Sequence, residues 1–372
     1  MLIDFLPAAF AATAAAILMP LAILARRFGH DDDFDGVQKV HEIPTSRLGG
    51  VILVIAYFAA LAVASRFGPT TLTAAVALAF CSLPVVLIGA SEDITRAIHP
   101  WHRLAGAVAS AVIASYFASG IIARVDLPVL DAWLAYLPFA LPLTWFMVAG
   151  ACNAMNLIDG AHGLAGGVAL MMFGGLATMA GYVCDTLILT QTLAMIGAIA
   201  GFMVWNYPRG KVFLGDAGAY FLGFMYAELA VQLVARNDAI SAWFVIALAT
   251  YPIVETLYSM YRRKIVLRTE SMQPDAGHLH SLIFHQLVMR AHSAQAKESV
   301  RRVNARVAPR LWLHGAVCLG AALVLHANTV ALIGFTVLYV IAYVVSYRAL
   351  GGGEARVAAV ARVERRESQG NS

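Results

Sequence analysis

Residues 186–205 read "TLILTQTLAMIGAIAGFMVW", a run of 20 residues without a single charged side chain. A helix needs about 20 mostly apolar residues to cross the hydrocarbon core of a bilayer. Similar runs recur along the chain, for example "TLTAAVALAFCSLPVVLIGA" at 71–90. The alternation of apolar and polar residues that a membrane barrel requires is absent from the sequence. These runs predict an all-α fold, a polytopic membrane helical bundle.

The composition of the whole chain agrees with this fold class. Of the 372 residues, 60% are hydrophobic and 13% are charged, whereas soluble domains carry about 25% charged residues. The mean hydropathy is +0.73. We expect about 10–11 transmembrane helices, in a single domain over 1–349 that precedes a polar, flexible cytoplasmic tail over 350–372. The candidate spans are 3–25, 49–65, 70–90, 104–122, 134–151, 164–183, 186–205, 217–235, 241–261, 311–326 and 329–347.

The basic residues predict the orientation of the chain. Loops rich in Lys and Arg face the cytoplasm under the positive-inside rule. With the N-terminus outside, only Arg66, Arg124 and Arg236 of the 26 Lys and Arg residues fall on the outer side. The C-terminus is then cytoplasmic. The first span lacks the basic n-region of a signal peptide, so we expect it to be retained.

Charge and cysteine content disfavour several classes of function. The basic residues behind the net charge of +4 are distributed as the predicted topology requires. We therefore expect the basic stretches to contact acidic lipid headgroups, and we expect no nucleic-acid partner. The four cysteines are scattered without a CxxC pair, which argues against a zinc site or a disulfide. The absence of a GxxxxGK[ST] motif disfavours a P-loop nucleotide hydrolase.

Two carboxylates, Glu228 and Glu255, stand out within the predicted spans, and such residues are candidates for function. Glu255 lies just before the basic run "YRRK". It is therefore either a functional residue or an ion-pair partner of Arg262 or Arg263. No role follows from the sequence for Glu228.

The polar side chains are concentrated in five stretches that this topology places at the cytoplasmic face. Crowded carboxylates repel one another unless a cation lies between them, and Asp and Asn oxygens suit Mg²⁺ or Mn²⁺. Cationic side chains and glycine-rich backbone bind phosphate oxygens. The combination predicts a phosphate-transfer site with one substrate from the cytosol and one from the bilayer. The stretches are "KVHEIPTSRLGG" (39–50), "GASEDITRAIHPWHR" (89–103), "NAMNLIDGAHGLAGG" (153–167), "WNYPRGKVFLGDAGAYFLG" (205–223) and "PDAGHLHSLIFH" (274–285).

In order and spacing, these motifs over about 36–285 resemble those of the polyprenyl-phosphate N-acetylhexosamine-1-phosphate transferases. That superfamily includes undecaprenyl-phosphate GlcNAc-1-phosphate transferases and phospho-N-acetylmuramoyl-pentapeptide translocases. The resemblance implies transfer of a sugar 1-phosphate, expected to be N-acetylhexosamine 1-phosphate, from a UDP-sugar to undecaprenyl or another polyprenyl phosphate, with release of UMP. It also implies a multi-pass enzyme of the bacterial inner membrane, at the first membrane step of a surface glycan pathway.

The resemblance further implies roles for individual residues. Asn156 and Asp216 would hold Mg²⁺, for which Mn²⁺ can substitute, and Phe213 would stack on the uracil ring. Asp93 would position the lipid phosphate or accept its proton. The other catalytic candidates are Glu92 and Asp159, and the other substrate-binding candidates are Lys39, His41, Arg47, Arg103, Asn153, His278 and His280.

The chain departs from the family's motifs at three positions. Glu92 stands where the family has Asp, His162 replaces the second Asp of its D-G-x-D-G loop, and Ser281 replaces its third consecutive histidine. The last difference argues against the pentapeptide translocase branch, which stays an alternative. A non-catalytic lipid-carrier binding protein is a further alternative. A transporter is disfavoured because it would place its polar groups at mid-membrane.

Two mechanisms are compatible with these residues. We favour a single in-line attack of the lipid phosphate on the β-phosphorus of the UDP-sugar, because phosphoryl transfer depends mainly on positioning and charge neutralisation. The alternative makes Asp93 or Asp216 a nucleophile that forms a phospho-enzyme. The sequence leaves this choice open, along with the identity of the sugar and the oligomeric state, for which a homodimer is one option.

Overall fold

The computed structural model describes residues 2–24, 30–31, 45–66, 72–118, 120–267, 277–293 and 300–350. Within these ranges the chain is a helical bundle with one short two-stranded ribbon, which confirms the predicted fold class. Lys39 and His41 lie outside the described residues, as does the predicted tail beyond Leu350.

The described part of the chain contains helices α1 to α15 and two strands. Strands β1 (His30–Asp31) and β2 (Thr45–Ser46) pair in antiparallel fashion. A π-helical turn, Arg262–Leu267, follows α11. In chain order the helices are Leu2–Leu24, Gly49–Ala64, Leu72–Thr95, Pro100–Phe117, Pro128–Leu134, Leu137–Ile158, Leu164–Tyr182, Thr186–Asn206, Gly215–Arg236, Ala242–Leu248, Thr250–Tyr261, Leu279–Ser293, Val300–Ala305, Val307–Leu325 and Thr329–Ala349.

Eight helices among the described residues are long and apolar enough to cross a membrane, so the chain is a multi-pass membrane protein. Helices α10 and α11 meet at a 70° bend and form a ninth crossing if they are taken as one broken span. Every predicted span coincides with a helix or with this broken pair. The difference from the expected 10–11 spans lies in α2, which has only 16 residues, and α4, which begins with the polar "PWHR".

Helix α9 lies at the centre of the bundle. In the most apolar 18-residue segment of α9, 83% of the residues are buried, whereas the corresponding value for α15 is 17%. A helix that is apolar on all sides is expected to be surrounded by other helices. Gly50 on α2 and Gly218 on α9 permit close approach, because a Cβ atom on Gly50 would overlap the backbone of Gly218. Gly89 on α3 meets the backbone of Ala217 in the same way. Three helices therefore converge at the N-terminus of α9.

The end of the bundle near the C-terminus of α9 is held by a polar network around Asp126. Its Oδ2 accepts hydrogen bonds from the Ala242 N–H (2.6 Å) and the Ser241 hydroxyl (2.8 Å). Arg124 pairs with its Oδ1 at 2.5 Å and donates to the carbonyl of Ile240. Partial burial alone would raise the pKa of Asp126, but these hydrogen bonds outweigh it and hold the pKa below its usual value.

Candidate active site

Two of the polar stretches are joined by backbone hydrogen bonds. The Phe213 N–H donates to the Ser46 carbonyl at 2.8 Å. In return, the N–H groups of Gly49 and Gly50 donate to the carbonyls of Phe213 (3.1 Å) and Leu214 (2.8 Å). This backbone ladder fixes the start of α2 against the start of α9. It thereby sets Arg47 beside Asp216.

Asp93 caps α9 from a neighbouring helix. Its Oδ1 accepts the N–H of Asp216 at 2.8 Å, and its Oδ2 accepts that of Ala217 at 3.0 Å. Carboxylates are favoured at helix N-termini, where backbone N–H groups lack partners within the helix. Gly215 has a φ of 72°, a value that favours glycine, and a side chain there would overlap the Asp93 carboxylate. Asp93 is fully buried.

Asp216 is the centre of a charged cluster. Its Oδ2 pairs with the Arg103 guanidinium. Its Oδ1 accepts a hydrogen bond from Asn156 Nδ2 at 3.2 Å and lies 3.7 Å from Arg47 Nη2. Arg47 Nε is also 3.7 Å from Asp93 Oδ1. Two arginines and an amide from three different segments therefore meet at one carboxylate.

The oxygen donors of Asn156 and Asp216 fit a Mg²⁺ ion. Rotating the Asn156 amide by half a turn places two oxygen atoms at the 3.2 Å separation seen between these side chains. Adjacent ligands of an octahedral Mg²⁺ with bonds of about 2.1 Å lie about 3 Å apart. The described residues contain no group of three His, Cys, Asp or Glu side chains suited to a metal. An ion here would therefore complete its shell with water and phosphate oxygens, as Mg²⁺ commonly does.

Asp159 lies at the C-terminal end of α6, beyond its last helical residue. Burial raises the pKa of its carboxyl well above its usual range; Arg47 opposes the rise, while Asp216 and Asp93 add to it. A bound cation reverses this effect by stabilising the ionised form. The electrostatics of Asp159 thus agree with a cation site at this end of the bundle.

His162 and Phe213 form an aromatic pair, with ring centroids 5.8 Å apart and an angle of 31° between the planes. The backbone N–H of His162 donates to Asn304 Oδ1 at 2.9 Å, and that of Gly163 donates to Asn206 Oδ1 at 2.6 Å. The replacement of the family's Asp by His162 therefore changes a carboxylate into a ring that packs beside Phe213.

The histidines of the "HLH" motif stack on each other beside a buried carboxylate. The rings of His278 and His280 are 5.4 Å apart and nearly parallel. Glu255 Oε1 lies 3.4 Å from His278 Nδ1 and accepts the Leu279 N–H at 3.0 Å. Its Oε2 accepts the Tyr343 hydroxyl at 2.5 Å. Glu255 thus pairs with this turn.

One cavity of about 1570 Å³ connects these groups to the membrane region. It follows α9 from Asp216 to Val234, about 27 Å at 1.5 Å per residue, with apolar side chains such as Leu104, Phe146 and Val231 between. Glu92 and Asp93 do not line it, and Glu92 instead accepts the Ile98 N–H at 2.8 Å. The predicted site residues that line it are Arg47, Arg103, Asn153, Asn156, Asp159, Phe213, Asp216, His278 and His280.

Sequence reasoning missed two residues that contact this site and left the role of a third open. Asn304 lies within the long basic loop between the predicted spans 241–261 and 311–326, in a stretch without a recognisable motif, yet it is buried and lines the cavity. Glu255 was left between two interpretations. Tyr343 belongs to the candidate span 329–347, to which the sequence analysis assigns no role beyond crossing the membrane. The only available signal was the four-residue spacing of Tyr339, Tyr343 and Tyr347.

The central part of the chain matches a known family model. Residues 75–234 match the model described as "Glycosyl transferase family 4". This region contains Asp93 on α3, Asn156 on α6 and Asp216 on α9.

Curated bacterial proteins also match. The chain is 27% identical over 248 residues to the "Probable undecaprenyl-phosphate N-acetylglucosaminyl 1-phosphate transferase" of Bacillus subtilis, covering 65% of this chain and 66% of the relative. It is 32% identical over 203 residues to the "Phospho-N-acetylmuramoyl-pentapeptide-transferase" of Lacticaseibacillus paracasei, covering 51% and 61%. The "Undecaprenyl-phosphate alpha-N-acetylglucosaminyl 1-phosphate transferase" of Escherichia coli is 31% identical over 151 residues, covering 39% and 41%. In each case the chain spans less than two thirds of the relative.

Proposed function

We propose that this chain, whose residues 75–234 match the glycosyl transferase family 4 model, transfers a sugar 1-phosphate from a UDP-sugar to a polyprenyl phosphate and releases UMP. One observation carries the proposal: a single cavity joins the cluster around Asp216 to a long apolar lining along α9. A diphosphate and an isoprenoid chain require these two environments side by side. The names of the B. subtilis and E. coli relatives support undecaprenyl phosphate as acceptor and N-acetylhexosamine 1-phosphate as the transferred group.

Asp216 and Asn156 would hold the Mg²⁺ ion that this chemistry uses. When bound, the ion supplies positive charge to the diphosphate oxygens of the donor. Asp216 orients toward the cavity because Asp93 caps its helix, and Arg103 fixes its second oxygen. Mn²⁺ is expected to substitute because it also prefers oxygen ligands.

The remaining charged side chains would bind and orient the phosphates. Arg47 and Arg103 neutralise charge on the diphosphate, and His278 and His280, which line the same cavity, contact it as well. The lipid phosphate enters along the apolar lining and attacks the β-phosphorus in line. A phosphate monoester has a second pKa near 6, so it is largely ionised at neutral pH and needs little help from a base. UMP is the leaving group.

This mechanism gives Asp93 a positioning role. Both of its oxygens accept backbone N–H groups, and its side chain is fully buried. A carboxylate so engaged is poorly placed to accept a proton from a substrate or to form a phospho-enzyme. We therefore favour the single displacement over the covalent alternative.

A second candidate donor is the UDP-muramoyl-pentapeptide type. The L. paracasei relative, whose name carries this substrate, supports it. Ser281 in place of a third histidine argues against it. Purified protein with polyprenyl phosphate and Mg²⁺, given either donor in parallel, tests both by UMP release. If the protein releases no UMP from either donor but still binds lipid phosphate, the non-catalytic lipid-carrier binding protein is favoured.

The proposed location is the bacterial inner membrane, with the cavity mouth near Asp216 facing the cytoplasm. UDP-sugars are cytosolic, and the loops at this end contain most of the Lys and Arg residues. The N-terminus is then outside.

A further inference from the structure

Helix α15 contacts the bundle through tyrosines. It is the most exposed of the long helices described, and its buried residues are Leu332, Tyr339, Tyr343 and Tyr347. Each tyrosine is one turn from the next, so the three hydroxyls share one face. A buried hydroxyl requires a hydrogen-bond partner. Tyr347 donates to the Gly277 carbonyl at 2.6 Å and Tyr343 donates to Glu255 at 2.5 Å. Two of the three tyrosines therefore hold the region around His278.

Glu255 links α15 to the histidine turn. Its side chain is 1% exposed. Burying an ionised carboxylate costs free energy of desolvation unless hydrogen bonds or an opposite charge compensate for it. Its two oxygens are occupied by the Tyr343 hydroxyl, the Leu279 N–H and the edge of the His278 ring. Apolar packing could hold α15 against the bundle without this desolvation cost. The hydrogen-bonded carboxylate therefore indicates a role in orienting its partners.

We propose that Glu255 and Tyr343 are positioning residues for the proposed reaction, which orient His278 toward the phosphates in the cavity. With Nδ1 turned to Glu255, the Nε2 side of the ring is directed away from the carboxylate, and His278 lines the cavity. A carboxylate partner fixes the orientation of an imidazole ring. The stacked His280 then follows the orientation of His278. Helix α15, which lies outside the family-matched 75–234, thus contributes a positioning residue, Tyr343, to the site.

Several other ionisable groups face this relay from neighbouring helices. His314 on α14 hydrogen-bonds Tyr339 at 2.7 Å and stacks on Tyr251 of α11. The Arg262 guanidinium lies against Gly277. The groups whose charge or hydroxyl faces Glu255 or the turn are Tyr251, Arg262, His280, His314, Tyr339 and Tyr347.

The first test is a double-mutant cycle on UMP release. Glu255→Gln should lower kcat at least tenfold and Tyr343→Phe about tenfold, as expected for lost charge-assisted hydrogen bonds, with KM for polyprenyl phosphate little changed. In a His278→Gln background, Glu255→Gln should cost less than threefold more, because its effect passes through His278. Tyr339→Phe removes a hydroxyl from the same helix face that does not bond Glu255, and it should retain activity within twofold. Additive losses in the cycle would overturn the proposal.

The second test does not depend on turnover. Amide hydrogen exchange of the peptide containing Leu279 should accelerate in Glu255→Gln and in Tyr343→Phe, and it should be unchanged in Tyr339→Phe. Unchanged exchange in the first two variants would overturn the proposed relay. If the wild-type protein releases no UMP from either donor, the proposed function fails, while the exchange data still decide whether Glu255 and Tyr343 hold the turn.

Discussion

Asp93 binds the first turn of the helix that carries Asp216. The two residues belong to helices α3 and α9, and the Asp216 N–H donates to Asp93 Oδ1 at 2.8 Å. A carboxylate on one helix therefore sets where the proposed metal ligand on another helix points. Substitution of either residue should disturb the same group of atoms by a different route.

The substitution Asp93→Asn should reduce both stability and activity. The amide keeps one acceptor for the two N–H groups and loses the charge at the helix end, which costs about 0.5–2 kcal/mol for a lost cap. We expect a loss of kcat of about 10–100-fold because Asp216 shifts. Thermal unfolding in detergent and steady-state rates measure the two effects.

Glu92→Gln is the matched control, since Glu92 is the neighbouring carboxylate and its Oε2 only accepts the Ile98 N–H. It should lower the rate by less than about threefold. A larger loss for Glu92→Gln than for Asp93→Asn would show that Glu92 carries the role assigned to Asp93.

Removal of the divalent cation should stop the reaction. EDTA should abolish UMP release, and added Mg²⁺ or Mn²⁺ should restore it, because the Asp216 cluster alone leaves the donor's charge incompletely neutralised. Asp216→Asn should lose activity by about 10²-fold or more while the protein stays expressed and monodisperse. Full turnover by metal-stripped enzyme would refute the metal assignment.

Gly50→Ala should destabilise the bundle. Its methyl group would overlap backbone atoms of Gly218 and Leu214, which cannot yield as a flexible side chain could. We expect a loss of about 1–3 kcal/mol, typical of overpacking, visible as a lower midpoint of thermal unfolding. Gly174→Ala is the control, because its methyl group meets nothing within 4 Å. Equal midpoints for the two variants would contradict the close approach of α2 and α9.

The proposed orientation can be tested with a native cysteine. Cys184, between α7 and α8, is exposed, whereas Cys81, Cys152 and Cys318 are buried. With the N-terminus outside, Cys184 faces outward and should react with a membrane-impermeant maleimide in spheroplasts. In a Cys184→Ser background, Ser368→Cys in the tail should react only after lysis. Labelling of the tail before lysis would reverse the orientation.

Asp126 should make the stability of the protein depend on pH. Its pKa in the folded state lies below the usual value, so its ionised form stabilises the fold above the unfolded pKa of about 3.9, and that contribution is lost as the pH falls through the folded value. Asp126→Asn should therefore lower the unfolding midpoint at pH 7, and the difference should persist to about pH 4 and shrink only as the pH falls further. Asp238→Asn, whose carboxylate is fully exposed 3.9 Å from Arg124, should have little effect. A difference independent of pH would point to packing instead of charge.

The sequence predicted the bundle and the gathering of most polar residues well, for physical reasons. Apolar length determines which helices cross a bilayer, and loops on one side of a membrane lie near each other. Asn156, Asp159 and Asp216 accordingly line one cavity. Their roles stay predictions.

The partners of the buried carboxylates could not be predicted from the sequence. The Tyr343–Glu255 hydrogen bond joins residues 88 positions apart. The sequence around either residue gives no indication that the other is its partner. Asp93 read as a catalytic carboxylate because a sequence shows the type of side chain but not which helix N-terminus it will meet. Pairings of this kind depend on how helices pack, and many packings satisfy the same hydropathy.

The backbone ladder between Ser46 and Phe213 also bears on how the protein is made. About 170 residues of chain separate Ser46 from Phe213, and a ribosome adds roughly 5–20 residues per second. For about 10 to 30 seconds, the N–H groups of Gly49 and Gly50 must therefore wait for carbonyls that have not yet been synthesised. During biogenesis the first helices therefore enter the membrane before this part of the site can form. The site is completed only when α9 has emerged from the ribosome.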